Sequence, residues 1–228
     1  MMARVICLVI GYVCGLFQTA YIYGKSKGID IREKGSGNAG TTNTLRTFGV
    51  KAGVLVLFGD IVKCAVACLI ARFIIAPKMA PDINYLLVLY AAAGAILGHN
   101  FPFYMHFRGG KGIAATAGLI ICFHWSFFIM GVIVFFGTFF TTHYVSLGSL
   151  LVYAGFMIQI IIEGQMGVFG MSQAALNEMY IVSALLAVMA YCKHRENIKR
   201  LLKGQERKTY LKKKEEKPQQ GQGETKER

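Results

Sequence analysis

The chain has 228 residues, 54% of them hydrophobic and 16% charged, with a formal net charge of +13. A soluble domain would hold more charge and shorter apolar runs, whereas several runs here reach the roughly 20 residues that cross a bilayer. The basic excess is no nucleic-acid signal, because residues 193–228 hold 13 Lys and Arg against 6 Glu, so that +7 of the charge sits in one terminal stretch. The composition predicts an all-helical, polytopic membrane protein.

Residues 4–23 form the first apolar run, with Arg4 ahead of it and Lys25, Lys27, Arg32 and Lys34 behind. A signal peptide carries its positive charge ahead of the apolar core, so this run reads as an uncleaved span. The Lys and Arg behind it put residues 24–50 in the cytoplasm and the N-terminus outside. Residues 24–50 read as a long polar loop containing Gly-Ser-Gly-Asn at 35–38, then Thr42, Asn43 and Arg46. One reading is a flexible linker. The other is an anion site, in which a tightly folded backbone and polar side chains offer donors and Arg46 holds a phosphate through two parallel hydrogen bonds. The packing of two Asn, two Thr and an Arg into so short a stretch favours the second.

The second span, residues 51–76, carries Asp60 and Lys63. A spacing of three puts both on one helix face, where they can pair; intramembrane charges serve either as a helix-joining ion pair or in function, and both readings stand. After a short outer loop with Pro77 and Pro81, the third span starts at 85 and runs past His99 and Asn100 to a break at Pro102. Next comes Arg108 and a Gly-Gly-Lys-Gly turn at 109–112, directly ahead of an apolar run. Glycines let a ligand approach the backbone, the first amides of a helix lack partners, and Arg108 and Lys111 add charge. A phosphate seat and a basic turn contacting lipid headgroups are the two readings. The turn is not a Walker A loop, which needs a Gly five residues before Gly110 and a Ser or Thr after Lys111.

The apolar run over 113–140 is long for one span and short for two. One span would leave the basic tail outside; a helical hairpin turning at residues 124–126 makes seven spans and brings the tail into the cytoplasm, as the charge rule favours. Residues 141–146 then form a cytoplasmic break, 147–162 the sixth span, 163–176 an outer loop and 178–192 the seventh. His194 to Arg200 reads as an interfacial basic helix, and residues 207–228 as a basic disordered cytoplasmic tail near anionic lipids. The six cysteines lie in or beside apolar runs without Cys-x-x-Cys or an adjacent His, so they read as packing residues, and no metal or other cofactor is expected.

Taken in order, these polar stretches resemble the acyl-phosphate:glycerol-3-phosphate acyltransferase family of bacteria (PlsY). The resemblance rests on five strings: residues 35–43, Gly59-Asp60 with Lys63, 98–102 through 109–112, 144–149, and 194–198. It covers residues 1–206 as one seven-span acyltransferase domain. It implies transfer of an acyl chain from acyl-phosphate, without coenzyme A or nucleic acid as partner, to the 1-hydroxyl of glycerol 3-phosphate in the bacterial cytoplasmic (inner) membrane. The products would be 1-acyl-glycerol 3-phosphate and phosphate, the first committed step of phospholipid synthesis. Glycerol 3-phosphate would be held by Ser36, Arg46, Lys111, Asn197 and His194. Thr42, Asn43, the backbone of Gly109 and Gly110, and Ser146 would cradle the donor phosphate, with Asn38, His99 and Asn100 also at the substrates and Asp60 and Lys63 in support. The sequence departs from the family pattern at Thr41 (usually Ala), Cys64 (usually Gly) and His143 (often Arg). The rival from another class is a membrane transporter of a phosphoester or other anion, which the intramembrane Asp60 and Lys63 would suit; against it stand the absence of an internal repeat and the clustering of polar motifs on one face.

Overall fold

The computed structural model describes residues 1–210, so the tail expected beyond them lies outside the described residues from 211 on. Among the described residues all regular structure is helical. In chain order the α-helices are α1 (Met2–Gly15), α2 (Thr19–Ser26), α3 (Thr41–Phe48), α4 (Val50–Ile70), α5 (Ala76–Met79), α6 (Asn84–Asn100), α7 (Ile113–Phe123), α8 (Trp125–Thr142), α9 (Val145–Gln165), α10 (Gln173–Lys193) and α11 (Arg195–Leu202). A π-helical segment, Ala71–Ile75, joins α4 to α5. Among the described residues, six helical segments are long and apolar enough to cross a membrane, and α7, at 11 residues, is a shorter apolar helix.

The pair α1 and α6 forms the tightest seam. A Cβ on Gly11 or Gly15 would strike the carbonyls of Ala91 or Ala95, and one on Gly94 or Gly98 would strike those of Leu8 or Tyr12. Two Gly-x-x-x-Gly strings therefore face each other, which lets two backbones touch where no hydrophobic drive between helices is available. The core continues through Leu86, Leu89 and Ile96 of α6 to Leu119 and Phe123 of α7 and Phe127 of α8. Phe123 packs edge-on to Phe127, at 5.1 Å between ring centroids.

Four expectations from the sequence need correction. The first span is not continuous: the chain breaks between α1 and α2, and the buried Gln18 side chain donates to the carbonyls of Gly15, Gly98 and His99. That break reaches across to α6 and ties the two chain segments. The 24–50 segment is not all loop, since α3 occupies its second half. Residues 207–210 do not begin a disordered tail. They pack back on the bundle: Thr209 is buried, its amide donates to the His143 carbonyl at 2.9 Å, and the Tyr210 ring lies 4.8 Å from that of His143. The outer loop expected over 163–176 shrinks, because α9 and α10 run further than their apolar residues alone indicate. The hairpin turn is where the sequence put it, with His124 extended between α7 and α8.

Candidate functional site

The Gly-rich string at 35–40 is shaped by Asn43. Its Oδ1 accepts from the Ser36 amide at 2.9 Å, and its Nδ2 donates to the carbonyls of Ile31 and Lys34. Asn43 is thus committed to folding the loop and offers a ligand no free donor, contrary to the cradle role expected of it. Asp30 stiffens the entry to the loop: its side chain pairs with Arg32, 2.7 Å away, whose hydrogen bond holds the carboxyl down at about 2. With the loop fixed, Ser36, Asn38, Thr41, Thr42 and Arg46 line one cavity of about 720 Å³.

Lys111 comes to the same cavity from the opposite wall. The turn before α7 is pinned by hydrogen bonds from the Gly109 amide to the Asn100 carbonyl and from the Gly110 amide to the His99 carbonyl. A Cβ on Gly110 would fall on His99 Nε2. The Gly109 and Gly110 amides are therefore occupied, and neither residue lines the cavity, so the expected backbone cradle is not at these two positions. Gly112, Ile113 and Ala114 line the cavity, and the first amide of α7 with a helical partner is that of Thr116, which donates to the Gly112 carbonyl. The preceding amides of the first turn have no intrahelical acceptor and sit at the positive end of the helix.

The third wall is α11 with the strap that follows it. The Lys111 ammonium donates to Asn197 Oδ1. Asn197 Nδ2 in turn donates to Glu206 Oε1 at 2.7 Å, which also accepts from Ser146 Oγ, while Arg200 Nε donates to Glu206 Oε2 at 2.8 Å. Burial raises the Glu206 carboxyl, but the bonds from Asn197, Arg200 and Ser146 outweigh it and hold it below the usual range. Arg46 donates to the Arg207 carbonyl and to Thr209 Oγ1. Burial, reinforced by the charge of Arg200, brings the Lys111 ammonium down to about 8. Lys193, Arg200, Glu206 and Arg207 line the cavity too. None was singled out as a site residue in the sequence, although the density of Lys and Arg after residue 193 was the available signal.

Two expected site residues stand behind the wall. His194 is buried and does not line the cavity; its Nδ1 faces the Ala190 carbonyl at 2.8 Å, which can only accept, so Nδ1 carries the proton. Burial, followed by the charge of Lys111, lowers this imidazole to about 4, so it is neutral near pH 7. Asn100 is fully buried, its Nδ2 directed at Met189 Sδ, and it underlies Gly112 rather than facing the cavity.

Asp60 and Lys63 do pair across one helix face, at 2.8 Å, and Lys63 Nζ also meets His99 Nδ1 at 2.8 Å and the Phe17 carbonyl at 2.7 Å. This buried cluster ties α4 to α6 and to the break after α1. Asp60 and His99 form part of the cavity wall, and Asp60 Oδ2 has no protein partner. From the charged end the cavity continues as an apolar groove between α4, α7 and α8, lined by Leu57, Ile61, Ile121, Phe128, Val132 and Phe136. Leu57, Ile121, Phe128, Val132 and Phe136 are also exposed on the helix surface. A site so built takes an anionic head at one end and a hydrocarbon chain, entering from the side, at the other.

A family described as glycerol-3-phosphate acyltransferase matches residues 5–204 of the chain. A Bacillus cereus protein named glycerol-3-phosphate acyltransferase 2 is 36% identical over 217 residues, covering 94% of this chain and 100% of its own. A glycerol-3-phosphate acyltransferase from Clostridioides difficile is 38% identical over 212 residues, covering 92% of this chain and 97% of its own. Among solved structures, the crystal structure of PlsY, an integral membrane glycerol 3-phosphate acyltransferase, matches in its glycerol 3-phosphate form with a TM-score of 0.77 at 28% identity, over 91% of this chain and 96% of that one. Its lysophosphatidic acid form matches with a TM-score of 0.75.

Proposed function

Because the chain belongs to the glycerol-3-phosphate acyltransferase family, we propose that its cavity binds glycerol 3-phosphate beside a lipid-borne acyl-phosphate and transfers the acyl chain directly between them. The chain is a membrane acyltransferase acting on glycerol 3-phosphate in phospholipid synthesis; the anion transporter falls away with that membership. The observation that carries the residue-level reading is one continuous cavity, with Lys111, Arg46, Ser36 and Asn197 at one end and a laterally open apolar groove at the other.

Lys111, Arg46 and Ser36 hold the acceptor phosphate, and Asn197 orients the Lys111 ammonium through its side-chain oxygen. His194, neutral and locked by Ala190, supports Asn197 and Lys111 from behind instead of touching substrate. Thr42, Ser146 and the free amides at the start of α7 face the donor phosphate, which replaces the role first expected of Gly109 and Gly110. The 1-hydroxyl oxygen of glycerol 3-phosphate attacks the acyl carbonyl, the acyl–oxygen bond to phosphate breaks, and inorganic phosphate leaves with the bonding pair. The hydroxyl proton passes to the acceptor's own phosphate. Acyl-phosphate is already activated, so positioning two bound substrates supplies about 7–11 kcal/mol of the barrier, and Lys111 with the α7 amides meets the charge on the carbonyl and leaving group. No nucleophile paired with a base is needed for this route.

The chain crosses the bacterial cytoplasmic membrane seven times, counting the α7 and α8 hairpin as two crossings. The N-terminus is outside, and the site and C-terminus are cytoplasmic, in keeping with the basic residues around both. Detergent-purified full chain given palmitoyl phosphate should release phosphate and form lysophosphatidic acid only when glycerol 3-phosphate is present, and should ignore palmitoyl-coenzyme A. Equal use of the thioester would overturn the donor assignment. Incubation with acyl-phosphate alone should leave the intact mass of the protein unchanged; an acyl adduct discharged by glycerol 3-phosphate at a competent rate would overturn direct transfer. On intact cells, a cysteine at position 126 should react with an impermeant label and one at 204 should not.

A further inference from the structure

At the end of the bundle opposite Lys111, a second cavity of about 550 Å³ opens between the α7–α8 turn and the last turns of α9. Its polar lining is His124, Ser126, Gln159 and Glu163, and its apolar lining includes Met130, Ile158, Ile162 and Met166. Gln159 and Glu163 stand one turn apart on α9. Gln159 Nε2 donates to Glu163 Oε1 at 2.7 Å, which leaves Gln159 Oε1 and Glu163 Oε2 buried with no hydrogen-bond partner. The nearest positive candidate, His124 Nδ1, is 3.5 Å from Glu163 Oε2 and closer, at 2.7 Å, to Ser126 Oγ. Among the described residues no Lys or Arg pairs with Glu163. The carboxylate also sits in the last turn of α9, where the helix carbonyls add negative potential.

Two buried acceptors one helix turn apart, one of them a carboxylate oxygen, call for a ligand that brings both positive charge and N–H donors. A metal ion fits poorly, because no group of three His, Cys, Asp or Glu side chains converges among the described residues. A quaternary ammonium carries the charge but no N–H. The apolar lining, open toward the lipid-facing side of α9, calls for a hydrocarbon portion. We infer that this cavity binds a membrane phospholipid through a primary-ammonium headgroup held by Glu163 and Gln159. This site is independent of the acyl-transfer reading, since it lies a full length of α7 away from Lys111.

Trp125 lines the cavity and is the chain's single tryptophan, so its fluorescence reports the site alone. Purified full chain in detergent is titrated with dioctanoyl phosphatidylethanolamine, with dioctanoyl phosphatidylcholine and with free ethanolamine. The ethanolamine lipid should saturate the Trp125 signal at an apparent Kd about tenfold below that of the choline lipid, the size expected for a charge-assisted bond that only one headgroup can make. Glu163→Gln should abolish that preference while acyl transfer is retained. Should Glu163→Gln lose acyl transfer through misfolding, Gln159→Leu serves in its place and should narrow the preference to about threefold or less. Equal apparent Kd values for the two lipids, or a preference surviving these substitutions, would overturn the assignment. Free ethanolamine binding as tightly as its lipid would overturn the lipid and leave a soluble amine.

Discussion

Two clusters in this molecule use the same kinds of groups to different ends. Asp60, Lys63 and His99 pack between α4 and α6, each only a few per cent exposed, with Asp60 and His99 backing the cavity wall, and the Lys63 ammonium has an anion and a carbonyl within hydrogen-bond distance. Lys111, Asn197 and Glu206 are assembled from the turn before α7, from α11 and from the strap beyond it, and they line an open cavity. The first cluster joins α4 to α6 and to the break after α1. The second gathers cations around a space, with Glu206 tying Asn197, Arg200 and Ser146 together. A buried pair counts for what happens when one partner is lost, and a cavity-lining charge for what it does to a ligand.

Removing one member separates the two. Asp60→Ala leaves the buried Lys63 ammonium with the Phe17 carbonyl and the His99 ring but no anion, and should destabilise the fold by about 3–5 kcal/mol. The expected outcome is a large fall in detergent-solubilised thermal stability, with activity per folded molecule affected less. Lys111→Ala should do the reverse: near-normal melting, but kcat/KM for glycerol 3-phosphate lower by about 10²-fold or more. If both variants lost stability alike, the two clusters would be one structural unit and the distinction would fail.

The sequence made the Asp60–Lys63 pair legible, without His99, and the second cluster only in part. Asp60 and Lys63 are three apart, so the helical repeat alone brings them together. The hairpin at His124 followed from the length of an apolar run and the sign of the terminal charge. Lys111 and Asn197 are 86 residues apart in different elements, and only the family resemblance joined them. Three features were hidden for physical reasons. The composition of residues 41–48 is that of a turn, but the segment becomes helix α3 once Asn43 caps the loop beneath it. Gly109 and Gly110 have the right composition for a phosphate cradle, yet their amides go to the carbonyls of residues 99 and 100, a contact that composition cannot reveal. Glu206 lies in a charged stretch that reads as solvated until three donors are found around it.

The comparison sharpens with pH. In the substrate-free enzyme Lys111 is charged below about 8 and neutral above it. Since kcat/KM reports the free enzyme, it should fall as pH rises past that value, by about tenfold per unit. Lys111→Arg should flatten the fall, because a guanidinium keeps its charge, though at a lower plateau. An unchanged profile in Lys111→Arg would assign the titration to another group. The smallest effect is expected at Thr41, whose hydroxyl is buried without a partner in the cavity wall. Thr41→Ala removes an unsatisfied group, so thermal stability should hold or rise by about 1 kcal/mol, with acyl-transfer rates close to the parent's.

The hairpin of α7 and α8 has unequal arms. At 11 residues against 18, α7 is about 10 Å shorter than its antiparallel neighbour. The hinge at His124 holds one pair of ends level, so the shortfall appears at the other, and the turn bearing Lys111 is recessed by that depth below the plane where α8 ends. On the proposed reaction the chemistry would then take place at the foot of a well rather than level with the end of α8. A water-soluble acceptor must descend into that well, past the strap that carries Glu206. The hydrocarbon tail of the proposed lipid-borne donor would have no such journey, because the apolar groove between α4, α7 and α8 opens to the side.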